Sequence, residues 1–334
     1  MGYARFLAKR GLQGLFVVWA VVTVVFALRY ITPGDPVAFI APLDAGPELR
    51  QAIAESYGLD EPLYVQYGRY LWDLAHLDMG QSYARGTSVS AEVLGALPVS
   101  LELAVASTVV AVVISVPLGV VSAVNHRQPT DYAATTLSLV GISTPNFWLG
   151  VMLVLLLAVQ FNVFPTSGLA EVNGETVLFV DALRHLVVGE TRWLVEWLAH
   201  ITLPAVTLGT YFTALVTRLT RSGMLEELGE SYVTALRAKG LPEALVRYRH
   251  ALKNTLIPVV TVLGLQLGTL VGGAVITERV FDLPGLGSLL IDAINQQQWM
   301  ILQGCLIIVS GGFVVVNTAV DALYAYVSPE VTAE

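Results

Sequence analysis

The sequence predicts an all-α membrane protein, a single domain over residues 1–334 that crosses the bilayer with six transmembrane helices. Hydrophobic residues fill 55% of the positions and charged residues only 13%, against roughly 25% charged in an average soluble domain. Six apolar runs reach or approach the ~20 residues that span the hydrocarbon core as a helix. The runs are continuous rather than alternating, which excludes the short strands of a membrane β-barrel.

The orientation of the spans follows from the distribution of charge. The six predicted spans are residues 12–31, 99–124, 135–160, 201–219, 256–277 and 301–327. Lys and Arg collect at the N-terminus and in the second and fourth connections, whereas Asp and Glu dominate residues 32–97 and 169–200. Because basic residues remain on the cytoplasmic side, we expect a plasma membrane protein with both termini in the cytoplasm. The external segment is then 32–97, and the long cytoplasmic loop is 222–255.

The first span has a basic start, and no small-x-small cleavage site follows it. It is therefore interpreted as a retained helix rather than a signal peptide. In the external segment, Pro47–Ser56 and Val65–Ala75 are predicted helices. Apolar and aromatic residues at helical spacing give the second of them a face that rests on the membrane, on a partner or on the bundle itself. The sequence leaves these three alternatives open.

Polar residues within the second and third spans are candidates for lining a polar path through the membrane. Glu102 lies just inside the second span, where an ionisable side chain is costly and faces protein or water. Structural pairing of Glu102 is favoured over contact with a solute. Pro145 and Asn146 predict a kink in the third span, and such irregular backbone is tolerated where it is buried or lines a cavity. Ahead of the fourth span, Arg192–His200 is a possible interfacial helix.

The fifth span contains glycines spaced four residues apart, at Gly264, Gly268 and Gly272. Glycines on one face let helices approach closely, so packing is favoured over a pore-lining role. Gln266, polar at mid-membrane, is the third candidate for the polar path. The run 277–287 that follows predicts an interfacial or re-entrant turn before the last span.

The cytoplasmic segment Ser231–Pro258 is longer and more patterned than a simple connector, for which two to eight residues suffice. Its first part has helical composition, and Gly240 can adopt the left-handed conformation that ends a helix. Pro242 suits the first turn of a second helix, and Glu243 beside it complements the positive helix end. The predicted arrangement is helix, glycine turn, helix, with mostly basic charge.

The sequence contains no pattern for catalysis or for a bound cofactor. The phosphate-loop pattern G-x-x-x-x-G-K-[ST] is absent, the five histidines are dispersed, and the single Cys305 has no metal-ligand cluster beside it. The net charge of −8 is concentrated outside, which argues against nucleic acid as a partner. The chain is therefore predicted not to be an enzyme and to bind no metal or cofactor itself.

The segment 231–258, SYVTALRAKGLPEALVRYRHALKNTLIP, resembles the signature loop of the inner-membrane subunits of ATP-binding-cassette importers, in their peptide and nickel permease branch. Ala235 and Gly240 match the branch pattern Ala-Ala-x-x-x-Gly, with Leu236 in place of its second Ala. The runs YGLDEPLYVQY at 57–67, LDMGQS at 77–82 and ERVFDLPGLG at 278–287 also resemble the branch, in the expected order. At the tail, 328–330 reads Ser-Pro-Glu where Asp-Pro-Arg is usual, which puts any tail contact in doubt.

This resemblance implies the transmembrane domain of a type I ABC importer and the first of its two permeases. The residues that it assigns to ATPase coupling are Ala235, Leu236, Arg237, Ala238, Lys239, Gly240, Leu241 and Glu243. It implies four further components: a second, homologous permease in a heterodimer, two ATPase subunits that bind ATP with Mg²⁺, and an extracellular solute-binding protein. Glu102, Asn146 and Gln266 are then candidates for the translocation pathway.

Peptides are the expected cargo, and nickel chelates and oligosaccharides are the alternatives. A self-sufficient channel or secondary transporter is a different class of function. It requires an intramembrane path of charges, for which Glu102 and Asp321 are the candidates, near opposite faces. A membrane enzyme is disfavoured because no catalytic set is present.

Overall fold

The computed structural model describes residues 3–31, 37, 41, 44–56, 58–82 and 85–327, and these form a helical bundle with two short β-hairpins. Five helices are long and apolar enough to cross a membrane, and a sixth crossing is formed if one bent helix pair counts as a span. The protein is therefore a multi-pass membrane protein. The Gly34-Asp35-Pro36 break after the first span and the tail 328–330 lie outside the described residues.

The N-terminal half contains five helices and one hairpin. They are α1 (Tyr3–Ile31), α2 (Pro47–Ser56), α3 (Leu63–Ala75), β1 (Gln81–Ser82), β2 (Thr87–Ser88), α4 (Val89–Val124) and α5 (Pro129–Ser143). In β1–β2, Gln81 pairs with Ser88 and Ser82 with Thr87, antiparallel. The two short helices predicted in the external segment are thus present, the second of them starting two residues earlier than predicted.

The remaining elements complete the bundle. They are α6 (Asn146–Leu153), β3 (Ala170–Val172), β4 (Glu175–Val177), α7 (Phe179–Val187), α8 (Thr191–Gly229), α9 (Ser231–Ala238), α10 (Leu252–Gly273), α11 (Val275–Val280), α12 (Leu286–Asn295) and α13 (Trp299–Val327). Two π-helical segments, Val154–Gln160 and Leu245–Ala251, continue α6 and precede α10. In the antiparallel β3–β4 hairpin, Ala170 pairs with Val177.

The long helices α4 and α8 form the centre of the bundle. Their facing surfaces carry small side chains and an apolar cluster that includes Leu103, Leu208 and Phe212. A Cβ added at Gly209 would lie 2.7 Å from the Ser107 carbonyl oxygen, so the two backbones are nearly in contact there. Close approach through small residues is the usual basis of helix association in a membrane.

Two helices begin well before the predicted spans. Helix α4 starts at Val89 rather than residue 99, and α8 starts at Thr191 rather than 201. The possible helix Arg192–His200 is therefore the first part of α8. Packing explains both early starts. In α4, Val89 and Val93 are fully buried against α13 residues such as Ile301. In α8, Trp193 is buried against the β3–β4 hairpin, and both helices continue through their internal prolines.

The third and fifth spans are interrupted. Residues 135–160 were expected to cross as one kinked helix, but α5 and the helix that follows it meet at 101°. Pro145 causes this break because it lacks an N–H and disfavours helical backbone in the residue before it. The fifth span ends at Gly273 rather than 277, and α11 follows after Ala274.

The predicted packing role of the fifth-span glycines is observed at Gly264. A Cβ built there would lie 2.2 Å from Val320 Cγ2 and 3.1 Å from Val320 Cβ on α13. Val320 cannot easily move aside, because a β-branched side chain in a helix has one strongly preferred rotamer. At the same end of the bundle as Val320, Arg10 of α1 and Asp321 of α13 form an ion pair of 3.2 Å.

We expect Gly264→Ala to destabilise the protein by about 1–3 kcal/mol, the usual cost of overpacking. Gly95→Ala is the matched control, since Gly95 also lies within a helix but a Cβ there meets nothing within 4 Å. Replacing Gly95 by Ala should stabilise the folded protein by about 0.5–1 kcal/mol, because glycine is unfavourable inside a helix. Thermal unfolding in lipid nanodiscs measures both, and equal midpoints for the two variants would contradict the packing role of Gly264.

Candidate coupling site

Helix α9 ends in the glycine turn that the sequence predicts. Gly240 has φ +78°, and two backbone hydrogen bonds close the turn: Gly240 N–H donates to the Arg237 carbonyl at 2.9 Å, and Leu241 N–H to the Leu236 carbonyl at 3.3 Å. This is the Schellman pattern of a helix C-terminus. Leu236 and Leu241 are both half-buried, as the motif's apolar contact requires.

An ion-pair clamp crosses the Gly240 turn. The Glu243 carboxylate accepts from Arg237 Nη2 at 2.8 Å and Nε at 3.2 Å, and from Arg247 Nε at 3.2 Å. Hydrogen bonding from Arg237 first, and then from Arg247, holds the pKa of Glu243 below its usual range. The clamp therefore links α9 to the segment after the turn through directional guanidinium hydrogen bonds.

Five of the eight predicted coupling residues are exposed, and the other three are half-buried. Ala235, Ala238, Lys239 and Gly240 are exposed, with Arg237 beside them. On the opposite side, Val233 of α9 and Val246 of the following π-helical segment are completely buried. The segment therefore presents small side chains and two basic side chains outward, while its apolar side is anchored in the bundle.

Three side chains tie the base of α9 to both flanking spans. Tyr232 Oη donates to Glu227 Oε2 of α8 at 2.5 Å, and Asn254 Nδ2 of α10 donates to the same oxygen at 3.1 Å. Burial, with the bond to Glu227 second, raises the pKa of Tyr232 to about 12. Beneath this tie, Met224 and Ala251 pack against α4, so the base of α9 is connected to α4, α8 and α10.

Glu102, the first pathway candidate, is engaged within the protein. Its Oε1 accepts from the Phe179 backbone N–H at 2.6 Å, and its Oε2 accepts from Trp197 Nε1 at 2.9 Å. The carboxylate therefore joins α4 to the start of α7 and to α8. This is the structural pairing that was favoured from the sequence, and a role in the pathway stays a prediction.

The other two pathway candidates lie at different places. Asn146 opens α6 directly after the 101° bend, and its Oδ1 is buried without a hydrogen-bond partner in the described part of the chain. Gln266 of α10 lines a cavity of about 470 Å³ between α5 and α8, which also contains Tyr132, Phe212 and Arg218. The structure does not bring Glu102, Asn146 and Gln266 together into one site.

The comparisons with known proteins identify the family. Residues 115–333 match the family model "Binding-protein-dependent transport system inner membrane component", and residues 3–105 match its N-terminal counterpart. The chain belongs to this family. It is a permease subunit with the membrane domain of a type I ABC importer, as its helical bundle and the resemblance at 231–258 had indicated.

Several curated relatives align with this permease over nearly its whole length. It is 39% identical to the dipeptide transport system permease protein DppB of Escherichia coli (strain K12) over 92% of both chains. It is 35% identical to the oligopeptide transport system permease protein AppB of Bacillus subtilis (strain 168), over 98% of this chain and 99% of the relative. A di/tripeptide permease protein DppB of Pseudomonas aeruginosa (strain UCBPP-PA14) is 38% identical over 98% of each chain.

The sequence alone did not single out Asp131, which joins α4, α5 and α8 at one end of the bundle. Arg221 of α8 donates to it twice, from Nε at 2.8 Å and from Nη2 at 2.9 Å, and the Arg127 backbone N–H and Ser122 Oγ donate as well. The Asp131 side chain is only 5% exposed. An acid inside an otherwise basic connection is the one sequence signal that could have drawn attention to it.

Glu278 joins helices at the opposite end of the bundle. It belongs to the ERVFDLPGLG run, and its buried carboxylate accepts from Ser100 Oγ of α4 at 2.7 Å and from the Ser288 backbone N–H at 2.9 Å. Ser100 Oγ in turn accepts from Leu286 N–H at 2.8 Å. An acid at the N-terminus of α12 complements the positive end of that helix, so this run is a structural joint between α4, α11 and α12.

We expect Tyr232→Phe to lower the stability of the permease by about 1.5–3 kcal/mol, because a hydrogen bond to a charged partner is lost. Tyr248→Phe is the control, since Tyr248 lies in the adjacent segment with 60% of its surface exposed. The Tyr232 tie is fully present below pH 10 and is lost as pH rises toward about 12. The difference in thermal midpoint between wild type and Tyr232→Phe should narrow over that range; a constant difference would contradict the role of the hydroxyl.

Proposed function

We propose that this permease forms half of the translocation pathway of a peptide importer, paired with a second, homologous permease. Two cytoplasmic ATPases drive the pair, and an extracellular solute-binding protein delivers the peptide. The permease lies in the plasma membrane with both termini in the cytoplasm. Peptide cargo is supported by the names of three relatives, which are dipeptide, oligopeptide and di/tripeptide permease proteins.

The geometry of α9 is the observation that carries the proposal. A short helix with an exposed outer surface ends in a closed glycine turn and is hydrogen-bonded to both flanking spans. Such an element fits a groove on a partner and turns with it, which is what a lever between ATPase and membrane helices requires. Coupling also needs contacts that differ between the two states of the partner, and nucleotide-dependent closure of paired ATPases supplies them.

The nucleotide chemistry belongs to the partners in this proposal. ATP and Mg²⁺ bind to the ATPases, and the permease itself binds no cofactor and catalyses no reaction. Its contribution is mechanical: the domain alternates between inward and outward openings as the lever moves, a rigid-body type of transition. The 470 Å³ cavity that contains Gln266 is our candidate for part of the pathway.

Nickel chelates and oligosaccharides are the alternative cargoes, and the solute-binding protein decides among them. The discriminating measurement is mass spectrometry of the ligand that co-purifies with the cognate binding protein. Peptides support the proposal, whereas a nickel chelate or a sugar overturns the cargo assignment but leaves the coupling intact. ATP-independent flux through the purified permease alone would instead favour a channel.

We expect Gly240→Asp to leave the complex assembled while lowering ATP-driven uptake by about tenfold or more, the scale of a coupling of 1–3 kcal/mol. The side chain strains the left-handed turn and adds charge to the docking surface. Gly174→Asp is a matched control, because Gly174 has φ +83° and, like Gly240, has nothing within 4 Å of an added Cβ, but lies in the β3–β4 turn. The measurement is peptide uptake into proteoliposomes beside pull-down of the ATPases. Normal uptake by Gly240→Asp would contradict the lever.

A further inference from the structure

Helix α3 lies beside the first span at membrane depth. Tyr67 and Thr23 share a hydrogen bond of 2.6 Å between their hydroxyls, and Tyr30 Oη donates to Gln66 Oε1. The apolar window of the first span is Ala8–Leu28, so Thr23 lies about 8 Å inside its C-terminal end at 1.5 Å per residue. The Tyr67 hydroxyl thus reaches into the apolar window, and Tyr70, Leu71 and Leu74 of α3 cluster with Val18, Val21 and Val22 of the same window.

The outward surface of α3 is aromatic and has no covering element among the described residues. Tyr64 is 78% exposed and Trp72 is 68% exposed, and Gly68 lies one helical turn from each, with nothing within 4 Å of an added Cβ. We call Tyr64, Gly68 and Trp72 the aromatic face of α3. The opposite side of the helix packs on the bundle through the buried Gln66, so the aromatic face points away from the protein.

From this depth and this exposure we propose that the aromatic face of α3 lies in the lipid bilayer, at the boundary between headgroups and acyl chains of the outer leaflet. Trp and Tyr prefer that boundary because each combines an apolar ring with a polar group. A short helix with one apolar face and one anchored face is suited to lying in the plane of the interface.

The surroundings of the aromatic face favour lipid over a protein partner. Arg69, the cation next to the face, is already paired with Glu61 at 3.1 Å, so it supplies no unpaired charge for recognising another protein. The first span itself exposes Phe16, Trp19 and Val24 within its apolar window. Trp19 lies one helical turn from Thr23, the residue that contacts α3, so the span presents apolar surface next to this contact. The assignment to the outer leaflet rests on the orientation proposed above, whereas the contact with lipid does not.

The test is a nitroxide label at Gly68→Cys, which leaves both aromatic side chains in place. The assembled importer is reconstituted in phospholipid nanodiscs, and collisions of the label with oxygen, which concentrates in lipid, are compared with collisions with a water-soluble nickel chelate. Glu175→Cys in the exposed β4 strand is the control for a label in water. The unsubstituted chain is the labelling blank, because Cys305 is buried.

We expect the ratio of oxygen to nickel accessibility at residue 68 to exceed that at residue 175 several-fold. An equal ratio at the two positions means that the face is in water and overturns the proposal. A label at residue 68 that is immobilised and reached by neither reagent means that protein covers the face, which overturns it as well. Ala75→Cys, exposed at the end of α3, repeats the measurement if Gly68→Cys does not assemble.

Discussion

Rigid attachment of α9 to the spans on both sides is the constraint on which the coupling site depends. A helix of eight residues is too short to be stable by itself in water, so its shape and direction come from its surroundings. Glu227 provides the attachment by accepting from Tyr232 on α9 and from Asn254 on α10. Without that shared acceptor, α9 would keep its apolar anchor at Val233 but lose its polar link to the two spans, which would weaken the coupling proposed above.

Carboxylates join separate helices at both ends of the bundle. Glu102 and Glu278 each receive donors from sequence-distant elements at one end, and Asp131 and Glu227 do so at the other. A buried or half-buried charge is costly unless it is fully hydrogen-bonded. Each carboxylate therefore favours one arrangement of its neighbours. Any rearrangement that removes a donor would leave the charge without a hydrogen bond, which is costly in free energy. The middle of the bundle, in contrast, depends on small residues and close backbone contact.

The parts of the fold that the sequence could predict are those set by local chemistry. Apolar run length predicts the spans, Pro145 the break, and Gly240 the turn, because each depends on residues within one helical turn or one bilayer thickness. The start of α4 at Val89 was not predictable, since contact with Ile301 more than 200 positions away stabilises it. The pairing of Arg221 with Asp131 was not predictable for the same reason. The sequence shows both charged residues but not that the fold brings them into contact.

The magnitudes indicate why a few polar contacts can be decisive for coupling. An allosteric coupling between two sites is typically about 1–3 kcal/mol, and a hydrogen bond to a charged group contributes about 1.5–3 kcal/mol. The loss of the Tyr232 bond alone is thus comparable with the whole coupling between lever and bundle. In the proposed importer a much stronger attachment would add nothing, because force would pass through α9 once its movement relative to the spans costs more free energy than movement of the spans. The polar cluster at the base of α9 therefore only needs to supplement the buried Val233 and Val246, whereas the larger apolar interface lies between α4 and α8.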